Sequence, residues 1–223
     1  MRMVLDMATT GGPTRRRVPR AEREEQMVAA ATRIFAARGF HAASMDEIAE
    51  ASGITKPMLY AYFDSKEGLF LACVERGSRK LRADVRAAAQ GAPTPQRALY
   101  DGLVAVMRFV EENDELWSVL YPHGPGSSGT FSEAAARAHD EMSALLAELM
   151  TMLATSRGVD AEAALESEPL AHALTGATIA VGTWSRGRGE PAELHALRLM
   201  NFAWMGLGDI IEGELWMPEE PPS

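Results

Sequence analysis

Residues 52–70 read SGITKPMLYAYFDSKEGLF, with Tyr60, Tyr62 and Phe63 set between Lys56 and Lys66. The punctuation of this stretch decides the fold. Ser52 and Gly53 end one helix, because glycine takes the left-handed conformation that turns the chain at low cost. Thr55 stands where the next helix needs an N-cap, and Pro57 falls in its first turn, where a missing N–H is harmless. Upstream, Ser44 followed by Glu47 has the spacing of a capping box, which predicts a short helix over about 45–51. Downstream, Ser65 with Lys66 and Glu67 behind it opens a further helix. The unit is helix, tight glycine turn, helix.

Outward from this unit the chain is helical throughout. Met27, Ala30, Ala31, Ile34 and Phe35 recur at spacings of three and four, giving a first helix from Ala21 that Gly39 stops. The helix opened by Ser65 runs to about residue 89, where the Gly- and Pro-containing stretch 91–95 breaks it. Helical blocks follow at about 96–112, 114–121, 131–156, 168–186 and 191–212, separated by glycine-rich loops. No convincing strand and no internal repeat occurs, so the expected fold class is all-α. Residues 1–19, with Gly11, Gly12, Pro13 and the cluster Arg15, Arg16 and Arg17, read as a flexible basic arm.

Charge divides the chain. Its formal net charge is -9, yet residues 1–66 hold ten Lys or Arg against eight Asp or Glu, and residues 67–223 hold twelve against twenty-three. An acidic body is repelled by phosphate, so a nucleic acid has to meet the N-terminal third. The single cysteine, Cys73, excludes an internal disulfide, and no window approaches the length of a membrane span. The expectation is a soluble cytoplasmic protein with no membrane partner. Enzyme motifs are missing: there is no nucleophile elbow, P-loop, dinucleotide fingerprint or zinc-protease helix motif. His139, Asp140 and Glu141 are adjacent on a helix and point in different directions, so no metal site, no cofactor and no catalytic residue are expected.

A helix, a glycine turn and a second short helix is the unit that places its second helix in the DNA major groove. Ala49, Ile54, Leu59 and Phe63 fall on faces that hold the unit against the first helix, leaving Thr55, Lys56, Met58, Tyr60 and Tyr62 outward. A hydroxyl and a lysine at a helix N-terminus suit phosphate or base-edge contact, and tyrosine hydroxyls reach phosphate. The same pattern also suits an ordinary bundle in which both tyrosines are half-buried packing residues.

The text AAATRIFAARGF followed by SMDEIAEASGITKPMLYAYFDSKEGLF, from about residue 29 to 74, resembles the DNA-binding domain of the tetracycline-repressor (TetR) family. The resemblance implies roles residue by residue. Ser44 matches a cap that also touches phosphate. Thr55 and Lys56 match the start of the recognition helix, Tyr60 and Tyr62 its contacting aromatics, and Lys66 a backbone-contacting lysine. Pro57 and Met58 depart from the commoner small residue and threonine, and Ala61 from a longer polar residue, which shifts base reading toward Thr55, Lys56 and Tyr60. Arg20 and Arg23 are candidates for phosphate contact, and Arg15 to Arg17 for a minor-groove arm.

The implied organisation is a three-helix helix-turn-helix DNA-binding domain over residues 20–66 and a helical ligand-binding and dimerisation domain over 67–223. Ala177, Val181, Trp184, Trp204, Leu207 and Ile211 lie on the last two helices, whose apolar faces suit a homodimer. Candidate pocket residues are Met107, Phe109, Trp117, Tyr121, His123, Phe131, Met142, Leu146 and Met150, which equally fill ordinary cores. The expected function is a one-component regulator, a repressor that binds a palindromic double-stranded operator and is released by a small-molecule effector. The alternative is a ligand-independent dimeric architectural DNA binder.

Overall fold

The computed structural model describes residues 19–122, 130–156 and 167–212. Among them the chain forms nine helices and no strand: α1 (Arg20–Ala42), α2 (Met45–Ser52), α3 (Lys56–Phe63), α4 (Lys66–Ala89), α5 (Pro95–Glu112), α6 (Asp114–Leu120), α7 (Thr130–Ser156), α8 (Ser167–Ser185) and α9 (Ala192–Glu212). The expected all-α architecture is present. The arm with Arg15, Arg16 and Arg17, the loop with His123, and the side chains of Phe131, Trp204, Leu207 and Ile211 lie outside the described residues.

Local chemistry explains most helix boundaries, with two departures. Gly39 leaves the helical region at φ 73, and one further turn closes when the Ala43 N–H reaches the Gly39 carbonyl. Only half of the expected capping box forms: the Ser44 hydroxyl accepts from the Asp46 N–H at 3.2 Å, while Glu47 turns to Arg38 at 2.8 Å. A charged partner on the neighbouring helix outcompetes a backbone N–H that water also serves. Thr55 has the extended backbone of an N-cap but makes no side-chain capping bond, so Pro57 and the turn itself define the start of α3. Gly53 takes φ 66 between α2 and α3, as the tight turn requires. At α4, the Ser65 hydroxyl accepts from the Gly68 N–H at 2.9 Å.

A continuous buried cluster runs from Met27 to Ala203 and joins all of these helices into one core. α1, α2 and α3 fold around Met27, Ala31, Phe35, Ile48, Leu59 and Phe63. α4 touches both ends of the molecule. Its first turns put Leu69, Phe70, Cys73 and Val74 beneath α1 and α3, and its later turns put Leu81 and Val85 against α5 and α7. Phe70 meets Phe35 edge to face with ring centroids 5.2 Å apart, fixing α4 to α1. α6 also contacts both α1 and α4, and Gly77 of α4 lets Leu120 approach: a methyl group there would lie 3.1 Å from Leu120 Cγ. Burial pushes the Cys73 thiol up to about 12, so it stays protonated, and its Sγ donates to the Val28 carbonyl at 3.6 Å.

Candidate nucleic-acid interface and ligand cleft

α3 is anchored on one side and free on the other. Leu59 is fully buried and Phe63 nearly so, while Thr55, Lys56 and Pro57 are exposed and Tyr60 keeps 40% of its surface in solvent. Residues 59 and 63 are one helical turn apart, so both pins lie on one face and hold the helix in a fixed register. Phe63 is core, as its position on the inward face implies.

The outward face carries basic and aromatic groups drawn from three helices. Lys56 Nζ lies 2.9 Å from Asp46 Oδ2, across the turn between α2 and α3. The bond to that carboxylate, and its charge, raise the Lys56 ammonium above its ordinary value. The pair is exposed, and such pairs are weak enough to be exchanged for a phosphate. Tyr62 is half-buried against Phe63, with the Arg20 guanidinium 5.0 Å from its ring centroid. Met58 is half-buried as well, and Arg23 Nη1 points at its sulfur from 3.7 Å. Lys66 Nζ donates to the His41 carbonyl at 3.1 Å and sits 4.6 Å from the centroid of Phe40, tying the start of α4 to the end of α1. Ser44 caps α2 and remains exposed.

Thus the structure brings together Ser44, Thr55, Lys56, Pro57, Met58, Tyr60, Tyr62 and Lys66 with Arg20 and Arg23 on the α1–α4 end of the molecule. Three assignments shift in character. Tyr62 and Met58 are partly packing residues, and the ammonium of Lys66 already has one structural partner. Asp46 is the residue sequence reasoning passed over. Its signal was the position in the first turn of α2, ten residues before a lysine at the start of α3.

A second feature lies in the body. α4, α5, α6, α7 and α8 border a cleft, partly open to solvent, with about 530 Å³ of empty space when the open solvent at its mouth is counted. It is lined by Leu81, Val85, Leu99, Leu103, Val106, Trp117, Tyr121, Met142, Leu146, Leu149, Thr175, Thr178 and Ile179, with Ala98 and Gly102. Trp117, Tyr121, Met142 and Leu146 stand where sequence reasoning placed pocket residues. Met107, Phe109 and Met150 do not line it. They are buried in the surrounding core, and Met107 stands about 100° round α5 from Val106, which does face the cleft. Trp117 is fully buried, donates from Nε1 to Thr183 Oγ1 at 3.2 Å, and presses on Gly182, where a methyl group would come within 2.9 Å of Trp117 Cζ2. Burial also pushes the Tyr121 phenol up to about 12. Thr175 and Thr178 were missed as lining residues; their signal was two hydroxyls three residues apart in the mainly apolar stretch 173–182.

On α8 and α9, Ala177 and Val181 are half-buried against the core, and Trp184 is exposed with the Arg188 guanidinium 4.0 Å from its ring centroid. Leu197 and Phe202 of α9 are also exposed, Phe202 by 70%. No group of three or more metal-ligating side chains occurs among the described residues, and no helix there is long and apolar enough to cross a membrane.

Residues 27–73 match the family model described as bacterial regulatory proteins, tetR family, and residues 95–206 match the tetracyclin repressor-like C-terminal domain. The HTH-type transcriptional activator FasR of Mycolicibacterium smegmatis is 37% identical over 105 residues, 47% of this chain and 48% of FasR. The chain spans about half the length of the curated relatives it matches. A TetR-like transcriptional regulator from Rhodococcus sp. RHA1 is similar along its whole length, with 34% identity, a TM-score of 0.70, and coverage of 86% of this chain and 99% of that one. The fatty acid degradation regulator FadR from Bacillus halodurans shares the fold, with a TM-score of 0.74 at 17% identity over 85% of this chain and 98% of its own.

Proposed function

The chain belongs to the tetR family of bacterial regulatory proteins, and from that premise we propose that it is a dimeric, effector-controlled repressor of transcription. Residues 20–66 form the DNA-binding head and 67–223 the effector-binding and dimerising body, with α4 as the joint between them. The observation that carries this reading is the two-faced α3. Leu59 and Phe63 fix it from below, and Thr55, Lys56 and Tyr60 are offered above. Lys56, with Ser44, Tyr62, Lys66, Arg20 and Arg23, meets phosphates, and Thr55 and Tyr60 at the start of α3 read base edges. Pro57 and Met58 contribute apolar contact, for which a thymine methyl is the natural partner.

Two heads reach successive major-groove half-sites only when two copies associate, and the exposed Trp184, Leu197 and Phe202 on α8 and α9 supply an apolar surface for that contact. Ala177 and Val181 flank it, and Trp204, Leu207 and Ile211 follow along α9. Control follows from α4. Leu81 and Val85 line the cleft, and Leu69, Phe70 and Val74 of the same helix support the head. A ligand that binds one position of α4 better than another therefore changes the spacing of the two heads, and only such differential affinity can release the operator.

Selection of bound sequences from a random duplex pool at near-physiological salt tests the reading. A twofold-symmetric consensus supports it. Retention of DNA without a consensus points instead to an architectural binder, and no retention rejects DNA binding altogether. The name of the FasR relative favours activation as a second reading. A reporter driven from the selected operator separates the two, since its output falls with the protein's level under repression and rises under activation.

A further inference from the structure

The cleft between α4, α5, α7 and α8 has a chemical signature that narrows its ligand, given the effector-controlled reading above. Among the described residues that line it, every one is uncharged. An ionised group entering such a site loses its hydration and gains no counter-charge, a cost far larger than the gain from a few apolar contacts. Two charged pairs cross the α4–α7 seam, Arg86 with Glu148 at 3.6 Å and Arg82 with Glu141, and the second is doubly engaged: Arg82 Nη1 donates both to Glu141 Oε2 and to the Ser78 hydroxyl, the latter at 2.6 Å. An anionic ligand head would have to break that pair before Arg82 could serve it.

Against this apolar wall one polar atom stands out. Thr175 is 97% buried, lines the cleft, and its hydroxyl has no hydrogen-bond partner. Its neighbour one turn along α8, Thr178, is satisfied by the Leu174 carbonyl at 2.7 Å, and the indole N–H of Trp117 by Thr183. A buried hydroxyl without a partner carries a desolvation cost that a matching ligand atom removes. It can donate or accept, but it cannot neutralise charge.

We propose that the effector is a predominantly hydrocarbon molecule whose buried polar group is uncharged and hydrogen-bonds Thr175, with the chain lying between Leu81, Val85, Leu103 and Leu146. The protonated Tyr121 phenol at the same wall adds a second neutral hydroxyl.

The test uses the DNA-free full-length protein and four probes of one length: 1-decanol, 1-chlorodecane, decanoate and decylamine. Binding is read by calorimetry and by the rise in unfolding temperature. Expected is that 1-decanol binds about tenfold tighter than 1-chlorodecane and tighter than both charged probes. Thr175→Val, which keeps the shape, brings 1-decanol down to the level of 1-chlorodecane without lowering the unfolding temperature of the free protein. Tighter binding of either charged probe, equal binding of the alcohol and the chloride, an unchanged alcohol preference in Thr175→Val, or no binding by any probe overturns the inference. Operator selection is scored separately. A protein that selects an operator but ignores the alcohol loses this inference alone, and one that binds the alcohol but no DNA loses the regulatory reading alone.

Discussion

The head and the cleft are built on opposite plans. In the head, the residues assigned to function sit on the outside of a small core: Lys56 and Tyr60 are exposed, and Leu59 and Phe63 beneath them do the holding. In the cleft the two roles fall on the same side chains. Trp117 is fully buried, lines the cavity and presses against Gly182, so under the proposed reading it would be wall and ligand contact at once. On the proposed reading, contact with DNA is separable from stability at every outward residue of α3, whereas in the cleft ligand contact is separable from it at Thr175 but not at large wall residues such as Trp117.

The largest effect is expected where that separation is violated in the head. Leu59→Ala removes a fully buried pin, and we expect a loss of about 2–5 kcal/mol in denaturant unfolding together with loss of operator binding. An unchanged unfolding midpoint would mean that α3 is not held from below. Next in size is Gly182→Val in the body, which drives a side chain into Trp117 and should cost about 1–3 kcal/mol. It should weaken ligand binding while leaving operator affinity, measured without ligand below the unfolding transition, near that of the parent. Equal damage to both would break the comparison.

Exposed head residues should show the reverse pattern. Lys56→Ala and Tyr60→Ala are each expected to weaken operator binding about tenfold, with the unfolding midpoint left where it is in the parent. Lys56→Ala should also reduce the salt slope of binding by about one. Normal binding by both variants would remove α3 from the interface. Smallest is Asp46→Asn, which frees the Lys56 ammonium from its partner and takes a negative charge away from the DNA side. Operator affinity should rise a few-fold while stability falls by less than about 1 kcal/mol, because a carboxylate in the first turn of α2 is also lost. A fall in affinity would show that Asp46 positions Lys56 for DNA.

Legibility in the sequence follows the same division. Gly53, Pro57 and Ser65 announce α2, α3 and α4 through local backbone chemistry, and Phe63 announces the buried side of α3 through spacing alone. The capping box was half right, because the fate of Glu47 depended on Arg38 brought near by the packing of α1 on α2. The cleft was harder to read. Whether Val106 or Met107 faces it is decided by the rotation of α5 against four other helices, and no local signal carries that rotation. In sequence Thr175 is marked only by a second threonine three residues on, and its hydroxyl becomes conspicuous once its neighbours are known to leave it unpaired.

The double duty of α4 bears on how such molecules can be recombined. Exchange of heads between relatives is natural to attempt at a loop, yet a seam at residue 66 would cut Leu69, Phe70 and Val74 away from the core they complete. A workable graft keeps the first three turns of α4 with the incoming head and joins at Gly77, where the helix meets Leu120. Any side chain brought in at that position would crowd Leu120, which would have to shift by a few tenths of an ångström. Glycine at that one position is therefore the first thing to match in chimeras between this body and a foreign head.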